Sequence, residues 1–368
     1  MLIPSEHLSV KWHEQDSEFT LSLPWMSMEI EVEKEDMHGI KSATTLISEK
    51  NYNQESVQSF LQSFKDYPVS YKAPRSLHAF AKKDLQQAYN RIEHYDFSTP
   101  KAFVQSAGIS CDGLALTDLP DSWGWDLENI LSISKLNDSD PSTPLYDPMT
   151  VVSYLVLYRL AWESSAWSGQ NGLGDGLEKL LKKDESQFFD MIAWVTKQSH
   201  YVTREFHESV RPGLEHFKPA QHELEHFITD EIGHHKFMEQ VFQDIDRDAN
   251  EYQVGAATKW MLAIFKQLGT QSPLAFSAMV NVFEAAYYEG EDPLSRVLRQ
   301  SSKPHAAYGY DTHYKINQEH RHCDMPVILA SKCAPQPRDH VELTVRLFEV
   351  TLLMLDKMEQ NQLSKYDL

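Results

Sequence analysis

Residues 221–239 read QHELEHFITDEIGHHKFME, and this stretch decides how the rest of the chain is read. Its apolar residues recur at helical rather than strand spacing, so a helix is expected over 219–246. Glu231 and His234 stand three apart and project from one face of such a helix. Glu-x-x-His is how helical bundles supply a carboxylate and an imidazole together to a metal. His235, four residues from Glu231, is an alternative to His234. His222 and His226, earlier on the same helix, and His200 and Tyr201, on the preceding one, are further pocket candidates.

Two other segments offer matching donors. Over an expected helix at 306–332, His313, Asn317 and His320 fall at i, i+4 and i+7 on one stripe, with His322 off it. Over 273–290, Glu284 sits between Val282, Phe283, Ala285 and Ala286. A carboxylate in an apolar run is costly to bury unless it is paired or binds a metal. Glu289, near the end of that segment, is read as a surface residue. Histidine is concentrated in this part of the chain: 11 of 17 lie between His200 and His322. Carboxylate and imidazole together suit non-heme iron.

Outward from these segments the chain reads as helical from 147 to 368. Seven helices are expected, at 148–166, 186–211, 219–246, 251–268, 273–290, 306–332 and 337–362. Pro212-Gly213, Pro273, Pro335 and Pro337 punctuate them. Residues 106–146, with NDSDPSTP at 137–144, read as a linker or loop region. Residues 1–105 read as a small α+β module, with two short strands in 19–32, helices at 36–48 and 55–64, and a strand near 68–71.

EHFITDEIGHHKFM, the lone Glu284 and HYKINQEH together resemble the heme-oxygenase-like iron oxidases, over about residues 150–365. The resemblance implies a mainly α fold, a seven-helix heme-oxygenase-like bundle in which three helices supply the ligands. It implies Glu231, His234, Glu284, His313 and His320 as metal ligands, with Glu231 and Glu284 as the catalytic carboxylates. It implies Fe(II), one or two per chain, with O2 as co-substrate, acting on an amino acid, amine, fatty acid or modified peptide in a biosynthetic pathway. The family's third motif has Asp as a ligand where this chain has Asn317, so the second iron stands or falls on an amide. Glu319 points about 200° away from Asn317 on an ideal helix and does not replace it. The N-terminal module resembles the winged-helix-like domains that recognise leader peptides. The competing expectation there is a subdomain that packs on the bundle or forms a homodimer interface.

Composition narrows the function classes. A net charge of −20 repels phosphate backbones and excludes nucleic acid as a partner. The apolar fraction, 41%, suffices for a sizeable core. Cys111, Cys323 and Cys333 form neither a disulfide framework nor a zinc motif. The N-terminus lacks the pattern of a signal peptide, and 151–162 is too short to span a bilayer, so no membrane association and a cytoplasmic location are expected. Two other functions remain open from sequence: a cofactor-independent enzyme of the same fold acting on a small heterocycle, and a non-catalytic binding partner whose metal site has degraded at Asn317.

Overall fold

The structure is a computed structural model that describes residues 9–13, 18–23, 26–31, 69–72, 95–107, 119–136, 141–168, 172–284 and 292–367. Among these the chain is mainly helical. Four N-terminal strands, β1 (Ser9–His13), β2 (Glu18–Leu23), β3 (Met26–Glu31) and β4 (Val69–Lys72), form an antiparallel sheet in that order. The register aligns Trp12, Phe19, Ile30 and Val69 in one cross-strand row, and Val10, Leu21, Met28 and Tyr71 in another. The expected helices at 36–48 and 55–64 lie outside the described residues.

Two short helices, α1 (Pro100–Ser106) and α2 (Leu127–Ser134), precede the main bundle. The second lies within 106–146, the stretch read as a linker, yet Ile130 is fully buried in the main core. A loop reading missed it because only eight residues carry the periodicity. This stretch is anchored far along the chain: Glu349 accepts the Gly124 and Trp125 backbone N–H groups, and Arg346 donates to the Trp125 carbonyl.

A two-residue strand pair joins β5 (Leu145–Tyr146) to β6 (Gln336–Pro337). Between and beyond them run α3 (Pro148–Ser168), α4 (Leu173–Lys183), α5 (Glu185–His216), α6 (Gln221–Glu231), α7 (His235–Asp244), α8 (Ala256–Gln271), α9 (Pro273–Glu284), α10 (Pro293–Leu298), α11 (Ala307–Glu319), α12 (Met325–Ala330) and α13 (Arg338–Leu363). No described helix is long and apolar enough to cross a membrane.

Several boundaries differ from the sequence expectation, each for a physical reason. Pro212-Gly213 does not end α5, which continues to His216. A Cβ on Gly269 of α8 would sit 2.5 Å from Gly213 N, and one on Gly213 would meet the Phe276 ring. The glycines serve a close helix crossing rather than a stop. The expected helix 219–246 is two helices, because its halves bury into different clusters. Leu224 and Phe227 of α6 join one core with α8, α9 and α13, while Met238, Val241 and Phe242 of α7 join another with α4 and the first half of α5. Gly233, at φ +96, makes the break. The expected helix 306–332 is likewise two, separated by Arg321 in the left-handed region at φ 56 and a 3-10 turn, His322–Asp324. The expected 273–290 helix is described to Glu284.

Candidate metal centre

The break between α6 and α7 places Glu231 and His234 at facing helix ends. Glu231 is the last residue of α6, and His234 is the residue before α7. Both are buried, and His234 Nδ1 lies in hydrogen-bond geometry 2.9 Å from Glu231 Oε2. His313, from α11, brings its ring edge-on to His234 with centroids 5.0 Å apart. Donor atoms of Glu231, His234 and His313 all lie within 4.8 Å of one another.

The other Glu231 oxygen faces a residue that the helical stripe did not select. His322 Nδ1 lies 2.9 Å from Glu231 Oε1 and 3.4 Å from Glu284 Oε2. Glu231, Glu284 and His322 form a second group of donors within the same 4.8 Å span. The close approach of His322 to Glu231 is not a well-formed hydrogen bond. Among the described residues, Glu231 Oε1 and both ring nitrogens of His322 are buried without a hydrogen-bond partner. Buried polar atoms are nearly always satisfied, so atoms of the group that converge without bonding one another mark a place for a shared ligand.

The two carboxylates and the imidazole share their charge unequally. Burial alone raises the Glu231 carboxyl, but contacts from His234 and His322 outweigh it and hold it down at about 2. Burial, and then the charge on Glu231, push the Glu284 carboxyl up. Burial disfavours charge on His322, yet Glu231 and Glu284 together raise it to about 10. Burial lowers His313 to about 4, leaving a neutral imidazole, the form that ligates metals.

Four of the six sequence-selected residues therefore meet here: Glu231, His234, Glu284 and His313. Asn317 is buried beside them but acts as a support, its Nδ2 donating to Glu284 Oε2 at 3.1 Å. The structure does not bring His320 into the group. Its side chain is 40% exposed, and Nδ1 lies 3.0 Å from Asp230 Oδ2. The turn after α11 rotates His322, 1% exposed, into the inward place instead. The i, i+4, i+7 rule assumes a helix that continues, and α11 ends at Glu319. Pro326 in the first turn of α12 was the available signal of a fresh helix start. His235 turns away from the group, edge-on to His200 at 6.0 Å. His222 is exposed, His226 pairs with Asp230, and Tyr201 lies near Arg204.

Comparison of the chain with protein-family models, curated proteins and solved structures gives no match. The chemistry of the site therefore rests on its own donors. Two buried carboxylates and three imidazoles, with orphaned lone pairs between them, fit a divalent transition-metal ion of the borderline kind.

Proposed function

We propose that this chain is a non-heme iron, O2-activating oxidase or oxygenase of heme-oxygenase-like, seven-helix architecture. One observation carries the reading: Glu231, His234, Glu284, His313 and His322 converge in one group, in which Glu231 Oε1 and both His322 nitrogens have no hydrogen-bond partner among the described residues. The donors come from three separate stretches in the order that the resemblance implies. Its substrate class is an amino acid, amine, fatty acid or modified peptide, and it takes one or two irons per chain.

Ferrous iron, when bound, supplies the one-electron chemistry that O2 requires and that side chains lack. The protein's own contribution is to hold, orient and dry the site. Glu231 offers one oxygen toward His234 and the other toward His322, so it ties the two donor groups together. Asn317 fixes the Glu284 carboxylate through Oε2. Such supporting hydrogen bonds typically tune metal affinity by about 10–100-fold. Phe227 of α6, edge-on to His322 at 5.0 Å, covers that ring with an apolar face. His322 carries the compensating proton while the carboxylates lack an ion, and it must release that proton to ligate.

The test is anaerobic reconstitution with Fe(II), metal analysis, and exposure to O2. Iron near one or two equivalents, lost in Glu284→Ala, and a transient visible absorbance on O2 addition are expected. Absence of bound iron after reconstitution sinks the reading. The charged His322 between Glu231 and Glu284 favours one alternative, an acid–base enzyme without cofactor. Metal-free activity that survives Glu284→Ala would establish it.

A further inference from the structure

A second cluster lies on the solvent side of the buried group. Asp230 Oδ2 gathers three imidazoles: His226 Nδ1 at 2.8 Å, His320 Nδ1 at 3.0 Å and His322 Nε2 at 3.6 Å. Donor atoms of Asp230, His320 and His322 all lie within 4.8 Å of one another. A carboxylate oxygen has two lone pairs, so three rings compete for two acceptor places. His322 Nε2 is the one left over, buried and with no hydrogen-bond partner among the described residues. Surface ion pairing between Asp230 and a histidine needs one imidazole and leaves no reason to bury another nitrogen unpaired.

The geometry points to a second divalent-cation site, which we assign to Asp230, His320 and His322, with His226 as a further donor at its exposed edge. A carboxylate with two or three imidazoles suits a borderline ion of the zinc or cobalt class. His322 belongs to both clusters. Its Nδ1 faces Glu231 and Glu284, and its Nε2 faces Asp230. The sites are therefore arranged in tandem through one ring, an inner site and an outer one. With an ion on each nitrogen the ring is an imidazolate, so it has lost both nitrogen-bound protons to solvent and gained two metal–nitrogen bonds. This assignment does not depend on the redox function proposed above, since either site can hold an ion without redox chemistry.

The experiment uses the full chain, stripped with chelator and titrated with Co(II), following bound equivalents and the visible ligand-field bands. Wild-type protein is expected to take up one equivalent more than either Asp230→Asn or His320→Ala. Both variants should weaken that outer equivalent at least about 100-fold, the upper end of what losing a ligand's partner costs. His320 is exposed, so His320→Ala should melt like the wild type and separate ligand loss from misfolding. Equal uptake by wild type and both variants overturns the assignment. So does wild-type protein that binds at the inner group and nowhere else. Uptake of a single equivalent that Glu231→Ala leaves intact and Asp230→Asn removes would sink the inner site and leave this one standing.

Discussion

Glu349 and Glu231 are both carboxylates buried beside a cationic or imidazole partner, and they are finished very differently. At Glu349, Oε1 accepts two backbone N–H groups and Oε2 accepts from Arg346, whose guanidinium also lies over the Trp123 ring at 4.8 Å. Both oxygens have donors. At Glu231, one oxygen meets His234, while the other lies 2.9 Å from His322 Nδ1, an ion pair outside hydrogen-bond geometry among the described residues. A second carboxylate, Glu284, is buried close by. The first arrangement holds the 119–136 segment to α13. The second leaves lone pairs aimed at a common point, at a cost in stability that a purely structural cluster has no reason to carry.

That contrast can be broken by mutation. Glu349→Ala strands the Arg346 charge and orphans two backbone donors, so the chain should lose about 3–5 kcal/mol of stability in urea unfolding, as breaking a buried pair does. Glu284→Gln should have the reverse profile. Metal affinity should fall at least about 100-fold, roughly 2.7 kcal/mol, while metal-free stability stays level or rises because one of two crowded carboxyls is gone. Equal unfolding losses in the two variants would erase the distinction between clamp and site.

Acidity sharpens the comparison without mutation. His322 in the metal-free protein keeps its proton up to about 10, so its contribution is complete below the ordinary imidazole value of 6.5 and fades as pH rises toward 10. Glu231, held at about 2, contributes above its ordinary 4.5 and loses that contribution as pH falls toward 2. His313, lowered to about 4, costs stability as pH falls from 6.5, because the unfolded chain takes up a proton that the folded one refuses. Glu284, pushed up, favours the folded chain below its ordinary 4.5 and offsets His313 as pH rises above it. Metal-free protein should therefore show a denaturation midpoint that is broad between pH 4.5 and 6.5 and falls on the alkaline side. Bound metal displaces the His322 proton and should flatten the alkaline limb. A metal-free profile level from pH 6.5 to 10 would contradict this charge assignment. The smallest effect is expected at the α6–α7 break. Gly233→Ala forces a side chain into positive φ for about 1–2 kcal/mol, although nothing lies within 4 Å of its Cβ. Metal titration should register the shift of His234 alongside the unfolding change.

The donors legible in the sequence were those whose neighbours set them apart. Glu284 was found because an apolar run surrounds it, and His313 because it begins a stripe that α11 does form. Asp230 and His322 were not legible by spacing. Asp230 precedes a residue already selected, and its role depends on His226, His320 and His322 closing around it. His322 depends on a left-handed residue, Arg321, which no periodicity announces. From residue 147 on the fold was readable as helical, but the expected helices at 219–246 and 306–332 each break in two beside site residues. Gly233 and Pro326 carried that information locally and were outweighed by the longer apolar pattern. In α4, Leu173, Leu177 and Leu180 keep a helical repeat, obscured by glycines such as Gly176, which leaves room for Leu363.

Several of the donors also share a position along their helices. Glu231 closes α6, His234 immediately precedes α7, and His320 and His322 follow the end of α11. Chain ends of helices fray first, exchanging their amide hydrogens while the middle stays protected. An ion gripping these ends would act as a rivet through several frayed tips at once. Hydrogen exchange should slow most around residues 228–235 and 317–324 on loading, far more than in the centre of α5 or α13, giving the molecule a measure of occupancy written in its own backbone.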